Sequence, residues 1–342
     1  MLHRINLREK WLNILLILLS SLFVIFANVS AEIPRPAANT ITLNAIIYLP
    51  TATLKPIFQS QIDQQLQSGP GSLIHPSVTQ LTPQSDGLAM TLSQSFLPIG
   101  PPPIDSTTLL TFSVPDSSTI QVSAQPTPGS LLTLDGPLTQ IKVTQGHVNS
   151  ISPTPNCGDS ALAVKLGFPI SIGQGQQAPQ AKVVQSTEMI QQPSTDAANA
   201  YVEITSSALS ALGNQLGSFP VSQNLTAQNI RIGIQDNEIV VRSDISLWQT
   251  GIVVGSSTTH ILPLVENGNL LLHVTKTDVA VQFFTFPDDS YDQQIQDQIS
   301  QQLAGTLGGL FTVSKAAIGT DTHIPCTASD SLILTGTTNM LS

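Results

Sequence analysis

Short alternating runs dominate this chain, and they constrain its fold more than any other feature. Between residues 77 and 148 come "SVTQLT", "GLAMTLSQSF", "STTLLTFSV", "STIQVSA", "SLLTL" and "TQIKVTQGHV". Each is bounded by Pro, Gly, Asp or Ser, the residues of strand connections. From residue 229 the pattern returns in "NIRIGIQDNEIVVRSDISLW", "GIVVGSSTTHILPLV" and "LLLHVTKTDVAVQFFTF". Period-two alternation on this scale requires antiparallel sheets with one covered face. "PIGPPPID" cannot lie inside such a sheet and marks a loop or edge.

Three segments break the alternation with helical spacing. "TATLKPIFQSQIDQQLQS" sets Leu54, Ile57, Phe58, Ile62 and Leu66 on one stripe, and Pro56 places the helix start near Leu54, giving a helix over 54–68. "SSALSALGNQLG", capped by Thr205 or Ser206, aligns Leu209, Leu212 and Leu216 over 206–216. A third helix from about Asp289 carries Tyr291, Ile295, Ile299 and Leu303 at four-residue steps. The outward positions of the first and third segments are mostly Gln and Ser, where a soluble helix usually shows Glu and Lys.

These elements fall into one order used twice: strand, amphipathic helix, antiparallel meander. The first half spans 40–173. A Gln- and Pro-rich linker covers 174–198, a second half covers 199–312, and a C-terminal strand or tail covers 313–342. The hairpins about Asp86-Gly87 and Asp236-Asn237 occupy matching places, which points to an internal duplication. The expected fold class is α+β, with long antiparallel curled sheets wrapped on a few amphipathic helices in two similar halves.

Residues 1–31 read as a secretory signal. Arg4, Arg8 and Lys10 precede an apolar run, which closes on small Ala31. The run over 11–29 is nearly long enough to span a bilayer, so an uncleaved anchor is the alternative. Either way the rest is secreted or extracytoplasmic. That remainder keeps 9 Lys+Arg against 21 Asp+Glu, a net charge near −12. So acidic a chain has no electrostatic footprint for nucleic acid and no charge attraction to anionic lipid. The pair Cys157 and Cys326 is most simply a disulfide in such a compartment.

No motif carries catalysis or metal binding. The six histidines are scattered without an HxH or HExxH pattern. "CGDSALA" holds a Gly-Asp-Ser, and a late "DTH" follows, but neither the hydrolase block nor a GxSxG elbow is complete. Ser160 therefore reads as a turn residue before a strand. Asp236 with Glu238 and Asp288 with Asp289 sit in a hairpin turn and at a helix start, where Asp is structural. No cofactor is implied.

"VEITSSALSALGNQLGSF", then "NIRIGIQDNEIVVRSDISL", and "FTFPDDSYDQQIQDQISQQLAGTL" resemble the tubular lipid-binding superfamily, including the LmeA-like exported phospholipid-binding proteins. The resemblance is best over 199–310. It implies a non-enzymatic groove holding acyl chains between helix and curled sheet, with a lipid or other long apolar ligand as partner. Membrane-surface contact is a further possibility. On that reading the wall comprises Leu54, Ile57, Phe58, Ile62, Leu66, Leu209, Leu212, Leu216, Ile295, Ile299 and Leu303. Phe284 and Phe286, on one face of a strand, would guard the entrance. A single apolar stripe is as a rule plain core. The main alternative is therefore a structural or adhesive cell-envelope protein with a filled core, and an exported hydrolase stands third.

Overall fold

The first strand, β1 (Asn39–Pro50), shows why the sheets form. Ile41, Leu43, Ala45, Ile47 and Leu49 alternate along it and are all buried, while Thr42 and Asn44 between them are exposed. Alternation of this kind commits one face of a strand to a core. The protein is described here from a computed structural model covering residues 39–67, 74–96, 104–126, 134–143, 146–172, 198–220, 225–247, 250–281, 284–287 and 311–338. The expected signal segment, residues 174–197 of the expected linker and the expected third helix lie outside the described residues.

β1 runs directly into helix α1 (Thr51–Gln67). A five-stranded meander follows: β2 (Ile74–Pro83), β3 (Leu88–Phe96), β4 (Ile104–Asp116), β5 (Thr119–Pro126) and β6 (Gly136–Lys142). β7 (His147–Pro153) and β8 (Ser160–Ile172) then return to pair beside β1. The plan starts again with β9 (Ala200–Thr205) and helix α2 (Ser206–Leu216). Its meander has six strands: β10 (Phe219–Pro220), β11 (Leu225–Gln235), β12 (Glu238–Leu247), β13 (Val253–Glu266), β14 (Asn269–Val281) and β15 (Phe284–Pro287). β16 (Phe311–Ile318) and β17 (Ser331–Thr338) close it.

The closing strands of both plans share one central sheet, ordered β16-β17-β9-β1-β8-β7. Read from either edge, the order is the same: last-but-one strand, last strand, first strand. The two plans meet where β1 and β9 pair antiparallel through Ile46–Glu203, Ile47–Val202 and Tyr48–Tyr201. The main core lies on the Leu43 and Ile47 face of this sheet, and residues of both meanders pack into it.

Seventeen strands and two helices are present among the described residues, in three antiparallel sheets. The fold is mainly β, which overturns the expected α+β class of curled sheets wrapped on a few helices. The reason lies in where burial comes from. Strand residues supply most of the buried side chains, and each helix contributes a single short stripe.

Helix α1 also begins earlier than its proline suggested. Thr51 opens it directly after the strand, and its N–H donates to Asp159 O at 3.2 Å. Pro56 therefore sits inside the helix, on an exposed position where its missing donor is tolerated. Leu54, Phe58 and Ile62 form the fully buried stripe.

The glutamines of α1 have a structural task. β2 and β6 are the two edge strands of the first meander, and α1 packs against both. Gln59 accepts from Val78 N–H at 2.7 Å and donates to Pro76 O at 3.0 Å, both on β2. Gln65 donates to Leu138 O of β6 at 3.2 Å. In the second half Gln215 of α2 accepts from Thr42 N–H at 3.0 Å, on the stretch of β1 that β9 leaves unpaired. A primary amide carries a donor and an acceptor, so it replaces a missing strand neighbour. Replacing Gln59 with Leu should strip two such bonds and lower stability by about 1–3 kcal/mol in urea unfolding, with Ser60→Ala on the exposed face changing it by less than about 0.5 kcal/mol.

Candidate functional site

Helix α2 positions the site. Thr205 caps it, its hydroxyl accepting from Ala208 N–H at 3.2 Å, and the helix ends at Gly217 with φ +66°. Leu209 and Leu212 face inward. Gly213 lets the helix lie close on β11: a Cβ there would stand 2.9 Å from Ile232 N and 3.0 Å from Ile230 O. Beneath Leu209 and Leu212 is a cavity of about 40 Å³. Its remaining wall comes from two sheets. The central sheet gives Leu43, Ile204 and Leu332, and the second meander gives Ile232, Ile239, Val241, Ile261 and Leu272. Every lining side chain is aliphatic, so the cavity offers no hydrogen bond and stays dry unless a hydrocarbon enters.

Of the expected wall, Leu209 and Leu212 line this cavity, and Leu216 is half-buried just beyond it. Leu54, Phe58 and Ile62 do not reach it. They are fully buried in the first half, and Ile57 beside them is half-buried. Leu66 belongs to α1, with its side chain outside the described residues. Phe284 and Phe286 pair through their backbones with Val281 and Val279, and their side chains are likewise outside the description. Ile295, Ile299 and Leu303 lie outside the described residues. Alternation marked the lining strand residues as buried, but nothing local says that Leu43 of β1 and Leu272 of β14 meet.

The other face of the central sheet carries a second, polar arrangement. Cys157 and Cys326 are bridged, with Cα atoms 5.1 Å apart, and the bridge closes 169 residues of chain. It joins the loop before β8 to the loop before β17. Gly158, at φ +55°, brings the first loop against the second, where a Cβ would stand 2.3 Å from His323 O. Under this cap pack Tyr48, Ala163, Tyr201, Ile324 and Ile333. Glu203 of β9 is 3% exposed. Its carboxylate accepts from Tyr48 O–H at 2.6 Å, Ser331 O–H at 2.7 Å and Ala328 N–H at 2.9 Å, so three donors compensate its burial.

The Gly-Asp-Ser and Asp-Thr-His segments do come together here, but not as a catalytic set. His323 Nδ1 lies 2.8 Å from Asp159 Oδ2, and the imidazole stacks on Tyr201 with centroids 6.1 Å apart. Ser160 is buried, its hydroxyl engaged with Thr154 Oγ1 at 2.9 Å and Leu162 O at 3.3 Å. Ser160 thus bonds Thr154 and Leu162 rather than His323, the contact a triad would need. Among the described residues no three His, Cys, Asp or Glu side chains are grouped to hold a metal. Glu238 of the β12 start pairs instead with His260 Nδ1 at 2.8 Å.

No family model and no curated protein matches this chain. Solved structures with some likeness include P47 from Clostridium botulinum A2, 8% identical over 86% of this chain and 97% of that one, with a TM-score of 0.37. P47 of Clostridium botulinum E1 is 9% identical over 88% and 100%, at 0.33. A lipopolysaccharide binding protein is 9% identical over 87% and 98%, at 0.36. Likeness at this level carries no argument about function.

The cap generates two expectations. Burial, the hydrogen bond to Glu203 and the charge of Glu203 all raise the Tyr48 pKa above its ordinary 10.0, and burial raises that of Tyr201 as well. A raised tyrosine pKa means stability intact below about pH 10 and lost above it, as the unfolded chain ionises first. Tyr48→Phe should cost about 1.5–3 kcal/mol at neutral pH, because Glu203 loses a donor, and should flatten the loss of stability above pH 10. Replacing both cysteines with alanine should lower stability by about 2–5 kcal/mol in chemical unfolding.

Proposed function

We propose that this chain is an exported, non-enzymatic binding protein for a lipid acyl chain or a comparably slim apolar ligand. The carrying observation is the wholly aliphatic cavity where α2, the central sheet and the second meander meet. About 40 Å³ admits only a few methylenes, so a longer chain requires α2 to move off β11. Each methylene taken from water contributes about 0.8 kcal/mol, and a run of ten or so suffices for micromolar affinity after the costs of association. The disulfide fits an oxidising compartment. Among the described residues no helix is long and apolar enough to cross a membrane.

The reading as a structural or adhesive envelope protein is favoured by the first half, where Leu54, Phe58 and Ile62 are fully buried as core. Titration with a fluorescent fatty acid separates the two. Wild type should bind the probe in the micromolar range, and native mass spectrometry should show co-purifying lipid. Leu212→Phe should fill the cavity, raising stability by up to about 1 kcal/mol while weakening probe binding at least tenfold. Well-folded wild type that neither binds the probe nor carries lipid overturns the proposal in favour of the structural role.

A further inference from the structure

The second meander is polarised from end to end. Its strands alternate in direction, so the β10–β11, β12–β13 and β14–β15 turns emerge at one end, and the β11–β12 and β13–β14 turns at the other. Around the first three turns the sequence has no Asp, Glu, Lys or Arg over residues 219–230, 245–259 and 279–287. The opposite end carries Asp236, Glu238 and Glu266. In a chain of net charge −10, one rim of this sheet is thus free of charge. The last charged residue before that rim on β12 is Asp244, held by Asn229 Nδ2 at 2.8 Å.

The same rim exposes large apolar side chains. Leu247 is 37% exposed, Ile252 60% and Val253 52%, all at the tip of the β12–β13 hairpin. Four of its described N–H groups have partners within the tip. Leu247 N–H donates to Ile252 O at 3.0 Å, and Thr250 and Gly251 N–H both donate to Leu247 O at 3.2 and 2.8 Å. Ile252 N–H reaches Thr250 Oγ1 at 3.4 Å. Gly251, at φ +66°, permits this closure. These four donors keep their partners when the tip leaves water, which lowers the cost of burying a turn.

From these observations we propose that the β12–β13 tip inserts into the interfacial layer of a lipid bilayer with uncharged or zwitterionic headgroups. Size argues against a folded protein as the occupant. Three side chains on a hairpin tip offer on the order of a few hundred Å² at most, against about 800 Å² per partner in a stable complex. Charge argues against anionic lipid as the attraction, since the three spans hold no Lys or Arg and the adjacent Arg231 is paired with Asp244 at 3.7 Å. Apolar insertion remains as the driving force. Leu247 shares a strand with the cavity residues Ile239 and Val241, six residues or about 20 Å from Val241. The inference stands on the rim alone and holds whether or not the cavity takes a ligand.

The test uses the full chain carrying Trp11→Phe, which leaves Trp248, adjacent in sequence to Leu247, as its sole tryptophan. Phosphatidylcholine vesicles with brominated acyl chains report the depth of position 248 itself, whatever else in the chain touches lipid. The expected result is a blue shift and strong quenching of Trp248. Ile252→Asp with Val253→Asp should weaken the lipid dependence of that quenching at least about tenfold. Leu264→Asp, exposed near the acidic end, should leave it unchanged. If the double variant fails to fold by circular dichroism, Thr250→Asp at the exposed turn replaces it. Trp248 that stays open to aqueous iodide and unquenched by bromolipid overturns the proposal. So does quenching that follows protein concentration rather than lipid, which would mark a contact between copies.

Discussion

An open antiparallel sheet leaves a row of unpaired N–H and C=O groups along each edge, and this chain meets that constraint with helix side chains, chiefly glutamines, with Lys55 Nζ donating to Thr79 O of β2 at 3.1 Å. Gln59 and Gln65 of α1 bind the two edge strands of the first meander, and Gln215 of α2 covers the unpaired part of β1. Carboxylates could accept but not donate, and ammonium groups the reverse. The amide does both and carries no charge to desolvate. Glutamines in helices otherwise poor in charge follow from that requirement. Once the edges are held, Leu54, Phe58 and Ile62 are fixed beneath the sheet, and the meander has a closed core.

The two halves use one strand plan, each with a helix packed beside its meander. In the first, Leu54, Phe58 and Ile62 of α1 are fully buried. In the second, α2 lies close on β11 through Gly213 yet leaves an aliphatic cavity beneath Leu209 and Leu212. Packed protein interiors rarely keep such space. The meander that lines this cavity also carries the uncharged rim with its exposed hairpin tip.

Between the halves, β1 and β9 pair over only three residues. Their joint is reinforced on the far face of the sheet. Glu203 of β9 holds Tyr48 of β1 together with Ser331 and Ala328, and the Cys157–Cys326 bridge ties the return loops of both plans above it. A buried carboxylate would be costly alone. Satisfied by three donors, it links strands from the beginning, middle and end of the chain.

Much of this was legible in the sequence. Period-two runs with Pro, Gly and Asp punctuation mark the strands, and the Asp236-Asn237 hairpin turn lies where its residues place it, both at positive φ. The lone cysteine pair announced its bridge. The weight given to helices was misplaced, because amphipathic spacing shows that a helix has a buried face but not how little of the core that face supplies. Where this cavity lies, which backbone atoms the glutamines reach and which turns share a rim were decided by the tertiary structure alone. Each depends on bringing together residues far apart in the chain, such as Leu43 and Leu272 around one cavity, or Gln215 and Thr42 in a hydrogen bond. Local sequence determines that a side chain is covered, and only the folded arrangement of sheets determines what covers it.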